Sequence, residues 1–279
     1  MDAQLIFTAS RYDQQRLKKG LAKFTDLGGR ILNPSASLSP HHFYCGGTSS
    51  RLESVLCGLK HDGPLLLMPP RGGYGTAELL DDLPHQLVTW LGKTLIGFSD
   101  LTAFHSFLSN LGVPSIHGPM LGTQGWLDAS PEETDSLLCA ITGQPQKLTI
   151  HYDGPDHTGR SVGGNLTVLA SLMGTPHQLQ LKPGDILFLE DINEPHYSLA
   201  RSLFQISHSP HFKDCTLLWG HLSGQDLPIP TLIERLMEAH PNNFWGYGVP
   251  AGHAAPNFSL PLGQPARMSV HRLFVSMNP

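Results

Sequence analysis

Apolar residues in the first half of the chain fall into short continuous runs separated by stretches of helical periodicity. Leu5-Ile6-Phe7, Leu65-Leu66-Leu67-Met68 and Thr94-Leu95-Ile96-Gly97 read as buried strands, with Arg30 to Asn33 as a further one. Between them Leu17, Leu21 and Phe24 recur at helical spacing and Gly28-Gly29 closes the segment. Ser50 and Glu53 stand in capping-box spacing, with Leu52, Val55, Leu56 and Leu59 on one helical face. A helix through Leu79 and Leu80 follows the turn Arg71-Gly72-Gly73-Tyr74-Gly75, and Leu101 to Leu111 forms another. Continuous apolar strands alternating with amphipathic helices predict a mostly parallel sheet covered on both faces.

The rhythm changes after Gly143. Gln144 to Lys147 is polar, and Asp153 to Ser161 is rich in Gly, Pro and His without periodicity, so a linker and mobile loop are expected there. A second unit opens at Val162-Gly163-Gly164-Asn165. It continues with a helix through Leu172, a strand at Ile186 to Leu189, a helix from Tyr197 to Ile206, a strand at Thr216 to Trp219 and a closing strand at Ser269 to Val275. The prediction is an α/β protein of two units: 1–143, a Rossmann/flavodoxin-like domain; 144–162, the linker; and 163–279, a smaller α/β or β-rich domain.

Composition narrows the function. The 279 residues carry a formal net charge of -5 with no Lys/Arg tract, which argues against nucleic acid or an anionic membrane as partner. The opening MDAQLIFTAS lacks a cationic segment followed by an apolar run, and no stretch reaches membrane-spanning length, so a cytoplasmic protein is expected. Cys45, Cys57, Cys139 and Cys215 lie far apart with no CxxC pair and read as packing residues in a reducing compartment.

The sharpest chemical feature is Ile96-Gly97-Phe98-Ser99-Asp100-Leu101-Thr102. A serine directly after a buried strand and before an apolar helix fits a nucleophile elbow, with the first helical N–H groups, that of Asp100 included, available to an oxyanion. The alternative is that Ser99 or Asp100 simply caps the helix. A serine nucleophile needs a base and an orienter. His253, in the breaker-rich stretch Gly252-His253-Ala254-Ala255-Pro256-Asn257, is the candidate base, against plain surface exposure. Glu190, ending the apolar run Leu187-Phe188-Leu189, is the candidate orienter, against a structural ion pair. The glycines Gly72 and Gly73 let backbone approach a ligand closely and offer a second oxyanion donor. Neither G-x-G-x-x-G nor a Walker lysine occurs, which leaves nucleotide readings weak. His41-His42, His151, His157, His208 and His211 raise a metal question, but no HExxH or close His/Cys tetrad accompanies them, and no metal is expected.

In order along the chain, Arg71-Gly-Gly-Tyr-Gly75, Ile96-Gly-Phe-Ser-Asp100, His117-Gly-Pro119, Gly163-Gly-Asn165, Ile186-Leu-Phe-Leu-Glu-Asp191 with Glu194-Pro195, and Gly252-His253 with Leu260-Pro-Leu-Gly263 resemble the LD-carboxypeptidase family. That family includes the muropeptide-trimming enzyme and the microcin C self-immunity peptidase. The resemblance implies an α/β domain carrying the nucleophile Ser99 and a smaller domain carrying the base His253 and its orienter Glu190, with the active site at the domain interface. It implies oxyanion donors from the backbone of Asp100, Gly72 and Gly73, no cofactor, and commonly a homodimer. The expected substrate is a murein tetrapeptide losing its terminal D-alanine. Arg71 is the candidate for the substrate carboxylate, with bracing of the turn as the alternative, and Tyr74 is a further substrate-binding candidate. A microcin-type peptidase cleaving a peptidyl-nucleotide conjugate and a non-catalytic muropeptide-binding protein are the rival readings. The chain departs from the family at Ala9-Ser10-Arg11, where a Pro-Ser-Gly-like turn is expected.

Overall fold

The computed structural model describes residues 1–224 and 227–277. Two sheets organise them. From one edge, the first runs Leu260–Leu262, Ser115–His117, Lys93–Gly97, Leu65–Met68, Asp2–Leu5 and Arg30–Ile31. Its strands are parallel except Leu260–Leu262, which pairs antiparallel with Ser115–His117. Successive side chains along a strand point to opposite faces, and here both faces are apolar. Ala3, Leu5, Leu66, Met68 and Ile96 enter one core, while Ile6, Leu65, Leu67 and Leu95 enter the other. Helices Gln14–Asp26 and Pro131–Thr142 cover the first core, and Thr48–Leu59 and Thr102–Leu111 the second. This is the doubly covered parallel sheet that the continuous apolar runs demand.

The second sheet runs Trp245–Tyr247, Thr216–Leu222, Ile186–Asp191, His157–Asn165, Pro265–Ser269, Arg272–Val275 and Gln146–Thr149. Its first four strands are parallel and its last three pair antiparallel. Leu187, Leu189, Leu217 and Trp219 face a core shared with helices Leu166–Ser171, His196–Ile206 and Ile229–Met237, and Ile186, Phe188 and Leu218 face a second core. The chain is therefore a mixed α/β protein with a parallel sheet flanked by helices and a second, partly antiparallel sheet.

Several local expectations differ from the structure. The segment 144–162, expected to be linker and loop, carries the strand Gln146–Thr149 and the first two-thirds of His157–Asn165. His157 to Arg160 lack an apolar pattern because they pair with Pro265–Ser269 at the less buried end of the strand, where backbone hydrogen bonds suffice without side-chain burial. The helix expected from the Ser50/Glu53 spacing starts earlier, at Thr48 after Gly47, so neither residue caps it. Leu79 and Leu80 lie on a 3₁₀ helix, Thr76–Asp82. The closing strand is a hairpin, Pro265–Ser269 with Arg272–Val275, turning at His271.

Leu260–Leu262 leaves the second sheet's half of the chain to complete the first sheet, and beside it the Asn165 N–H donates to Thr102 Oγ1 at 2.9 Å. These links bring the carboxyl ends of Leu65–Met68 and Lys93–Gly97 towards the carboxyl end of Ile186–Asp191. Carboxyl ends of parallel strands are where open α/β sheets bind ligands.

Candidate active site

Ser99 follows Lys93–Gly97 and opens a 3₁₀ turn, Ser99–Leu101, that runs directly into helix Thr102–Leu111. Its φ is +63°, a left-handed conformation that costs a non-glycine residue strain and that marks a sharp strand-to-helix elbow. The side chain is half-buried at the start of the helix, where N–H groups and the helix dipole favour negative charge. Asp100 is buried, and its carboxylate accepts the Thr76 N–H at 2.9 Å. Burial pushes the Asp100 carboxyl above its usual range, opposed by hydrogen bonds from Thr76.

The turn after Leu65–Met68 abuts the elbow. A Cβ on Gly72 would stand 3.2 Å from Ser99 Cβ and 3.4 Å from its Oγ. Gly73 has φ +113°, and a Cβ there would collide with Ser10 Oγ at 2.3 Å, so this position requires glycine. Ser10 Oγ in turn accepts the Tyr74 N–H at 3.1 Å. The structure thus brings Ser99, Asp100, Gly72 and Gly73 together. Arg71 is exposed and donates from Nη1 to the Arg11 carbonyl at 3.2 Å, which is a bracing contact. Tyr74 is exposed, with its ring beside those of Phe43 and Tyr44.

Glu190 lies near the end of Ile186–Asp191 and is fully buried. Its Oε2 is 2.7 Å from Nδ1 of His253. Burial pushes the Glu190 carboxyl up, while the hydrogen bond from His253 acts against that shift and favours the carboxylate. The neighbouring acid cannot take this place. Asp191 accepts from Asn165 Nδ2, from the Thr167 N–H and hydroxyl and from the Ile192 N–H, which occupies both its oxygens. The His253 ring packs edge-on against Phe98, centroids 4.9 Å apart, so the imidazole stands beside the residue that precedes Ser99.

A cleft of about 340 Å³ opens at this junction, lined by Phe98, Trp126, Glu133, His253 and Asn257 among others. Glu133 caps helix Pro131–Thr142 in a capping box with Ser130 and also accepts the Asn257 N–H at 2.6 Å. Asn257 Oδ1 accepts the Gly252 N–H at 3.0 Å, which fixes the loop that presents His253.

Four further residues of the site are given no role of their own by the sequence. Phe98 and Asn257 read as ordinary apolar and loop residues. Asn165 is the N-cap of Leu166–Ser171, pairs in register with Glu190 and secures Asp191. His221 accepts the Ala254 N–H at 3.3 Å, and burial lowers its pKa. Of the histidines that raised a metal question, His41 and His42 pack edge-on against each other, centroids 4.4 Å apart, and the rest have separate partners. His151 stacks on Tyr247, His157 Nε2 meets the Gly184 carbonyl at 2.8 Å, His208 Nδ1 meets the Phe204 carbonyl and His211 Nδ1 meets Asp214. Among the described residues no group of three or more His, Cys, Asp or Glu is placed to hold a metal ion.

Residues 4–118 match the LD-carboxypeptidase N-terminal domain and residues 158–268 the LD-carboxypeptidase C-terminal domain. The chain is 30% identical to the murein tetrapeptide carboxypeptidase of Pseudomonas aeruginosa over 252 residues, which cover 84% of this chain and 81% of that protein. Among solved structures it is similar to the muramoyltetrapeptide carboxypeptidase of Oxalobacter formigenes, with a TM-score of 0.86 and 25% identity over 99% of this chain and 100% of that one. It shares its fold with the wild-type microcin C7 self immunity protein MccF, with a TM-score of 0.84 and 17% identity over 99% of this chain and 96% of that one.

Proposed function

Because the chain belongs to the LD-carboxypeptidase family, we propose that it is a serine carboxypeptidase that releases a terminal D-amino acid, D-alanine, from murein tetrapeptides by hydrolysing an L,D-amide bond. The observation that carries this reading is the buried Glu190 carboxylate on His253 Nδ1, with that imidazole packed on Phe98 beside the left-handed Ser99.

In this mechanism Ser99 Oγ attacks the scissile carbonyl and His253 Nε2 takes its proton. Glu190 accepts the hydrogen bond from Nδ1, which fixes the tautomer whose Nε2 is an acceptor and stabilises the imidazolium that forms. The tetrahedral oxyanion is held by the backbone N–H of Asp100 and by the Gly72–Gly73 turn. His253 returns the proton to the leaving amino group of D-alanine, and water then hydrolyses the acyl-enzyme by the same route. Arg71 turns from the Arg11 carbonyl to the substrate carboxylate, with Tyr74 beside it.

The chemistry needs no metal or cofactor. The same reading makes the protein a cytoplasmic homodimer, supported by the family resemblance and by four unpaired cysteines, which suit a reducing compartment. The peptide reading is preferred to a peptidyl-nucleotide one because Asp153 to Ser161 contain no Trp, Tyr or Phe to stack on a base. Incubation with a tetrapeptide ending in D-Ala, followed by mass analysis, tests the proposal. Release of alanine supports it, and an unchanged peptide contradicts it.

A further inference from the structure

Arg51 lies on helix Thr48–Leu59 and is fully buried, although it carries a charge. Burying a cation is costly unless partners replace its water. Here the partners are two loops of the candidate site. Nη1 donates to the Thr8 carbonyl and to the Gly75 carbonyl, each at 2.7 Å, and Nη2 donates to Glu78 Oε2 at 2.6 Å and Thr48 Oγ1 at 3.3 Å. The Tyr44 ring covers the guanidinium at 4.4 Å, and the Tyr44 hydroxyl bonds the other oxygen of Glu78.

Gly72, Gly73 and Gly75 have no side chains, so at these three positions the turn can be held only through its backbone atoms. Ser10 Oγ holds the Tyr74 N–H, the Asp100 carboxylate holds the Thr76 N–H, and Arg51 holds the Gly75 carbonyl between them. The approach is close. Gly75 has φ +131°, and a Cβ there would stand 2.6 Å from Arg51 Nη1. Thr76 Oγ1 also meets Thr8 Oγ1 at 3.2 Å, so the first strand's end, the turn and the elbow are joined around one guanidinium.

We propose that Arg51 is a positioning residue for catalysis, one that fixes the Gly72–Gly75 turn against the Ser99 elbow so that its backbone donors stay aimed at the oxyanion. This rests on the function proposed above. The planar fork reaches two carbonyls and a carboxylate at once, which a lysine ammonium cannot reproduce with the same geometry. A displaced oxyanion donor weakens transition-state stabilisation and leaves ground-state binding untouched.

The test compares wild type with Arg51→Lys on a tetrapeptide ending in D-Ala and, separately, on a fluorophosphonate probe that phosphonylates an active serine. Arg51→Lys should lower kcat about 10²-fold with KM within about threefold of wild type, and should slow labelling of Ser99 in parallel. Glu78→Gln alters the partly exposed end of the network and reads the same effect if Arg51→Lys does not fold, with kcat lowered about tenfold at unchanged KM. Wild-type kcat in a folded variant, or a loss confined to KM, overturns the role of Arg51. Wild-type turnover and Ser99 labelling in the same assays test the carboxypeptidase reading on its own, so the two failures are distinct.

Discussion

Glu190 Oε2 stands 2.7 Å from His253 Nδ1, and the two residues are 63 positions apart in the chain. Glu190 is rigid because it belongs to a strand in the middle of the second sheet, and His253 is placed by a loop tied through Asn257 to Glu133. A fully buried carboxylate depends on that imidazole for its charge, and the imidazole depends on the carboxylate for its tautomer.

Glu190→Gln should therefore lower kcat about 10³-fold or more while preserving the fold, because the amide fills the same volume but cannot stabilise an imidazolium. His253→Ala should cost more. The check is kcat/KM against pH for both variants beside wild type. A Glu190→Gln enzyme with an unaltered profile would mean that another carboxylate orients the histidine.

Gly252→Ala tests the loop. Gly252 has φ +130°, and a Cβ there would stand 3.0 Å from Glu190 Oε2 and 3.1 Å from His221 Cβ. The substitution should destabilise the protein by about 1–3 kcal/mol and lower kcat at least about tenfold. Thermal unfolding and steady-state kinetics on the same sample would show both.

His105 gives a pH-dependent term in stability. It is buried between the Gly97 carbonyl and Ser115 Oγ, each at 2.8 Å, and burial lowers its pKa to about 4. Between that value and the unfolded value of about 6.5, the unfolded chain binds the extra proton. Stability from this group is therefore complete above pH 6.5 and is lost as pH falls towards 4, by about 2 kcal/mol between pH 7 and 5. Urea denaturation at the two pH values should show His105→Gln losing less than wild type. Buried Asp100 and Glu190, with raised pKa values, act in the opposite sense in both proteins.

Much of the fold was legible because it is written in continuous apolar runs. Leu65–Met68 matches its predicted bounds, and Ile186–Asp191 extends its predicted run by the two acids that end it. Leu260–Leu262 was not legible as a strand of the first sheet, since its pairing with Ser115–His117 joins residues more than 140 positions apart and three residues carry no period. The strand His157–Asn165 was hidden by its glycines and polar residues. Within the site, the elbow at Ser99 was legible from its place between strand and helix, with helix capping left open as its purpose, and the Gly-rich turn was legible from its glycines. The residues offered Glu190 and His253 as candidates beside bland alternatives, and the resemblance chose between them. Arg51 gave no signal at all, because its meaning lies in two loop carbonyls distant in sequence.

Stereochemistry at the leaving residue should be strict. With the carboxylate clamped and the carbonyl seated among the oxyanion donors, inverting the terminal centre exchanges its methyl group and hydrogen and rotates the carbonyl off the line of attack. Misplacement of about 1 Å costs roughly 10²-fold in rate. Paired assays on tetrapeptides ending in D-Ala and L-Ala, with chiral analysis of released alanine, should show turnover of the first only. Equal rates would remove the L,D specificity from the account.

The nucleophile itself is tested most directly by Ser99→Ala. The serine contributes little packing, so the variant should fold with wild-type stability and release D-Ala from the tetrapeptide on the order of 10⁴-fold more slowly in kcat. Turnover within tenfold of wild type, measured on carefully purified variant, would contradict the account.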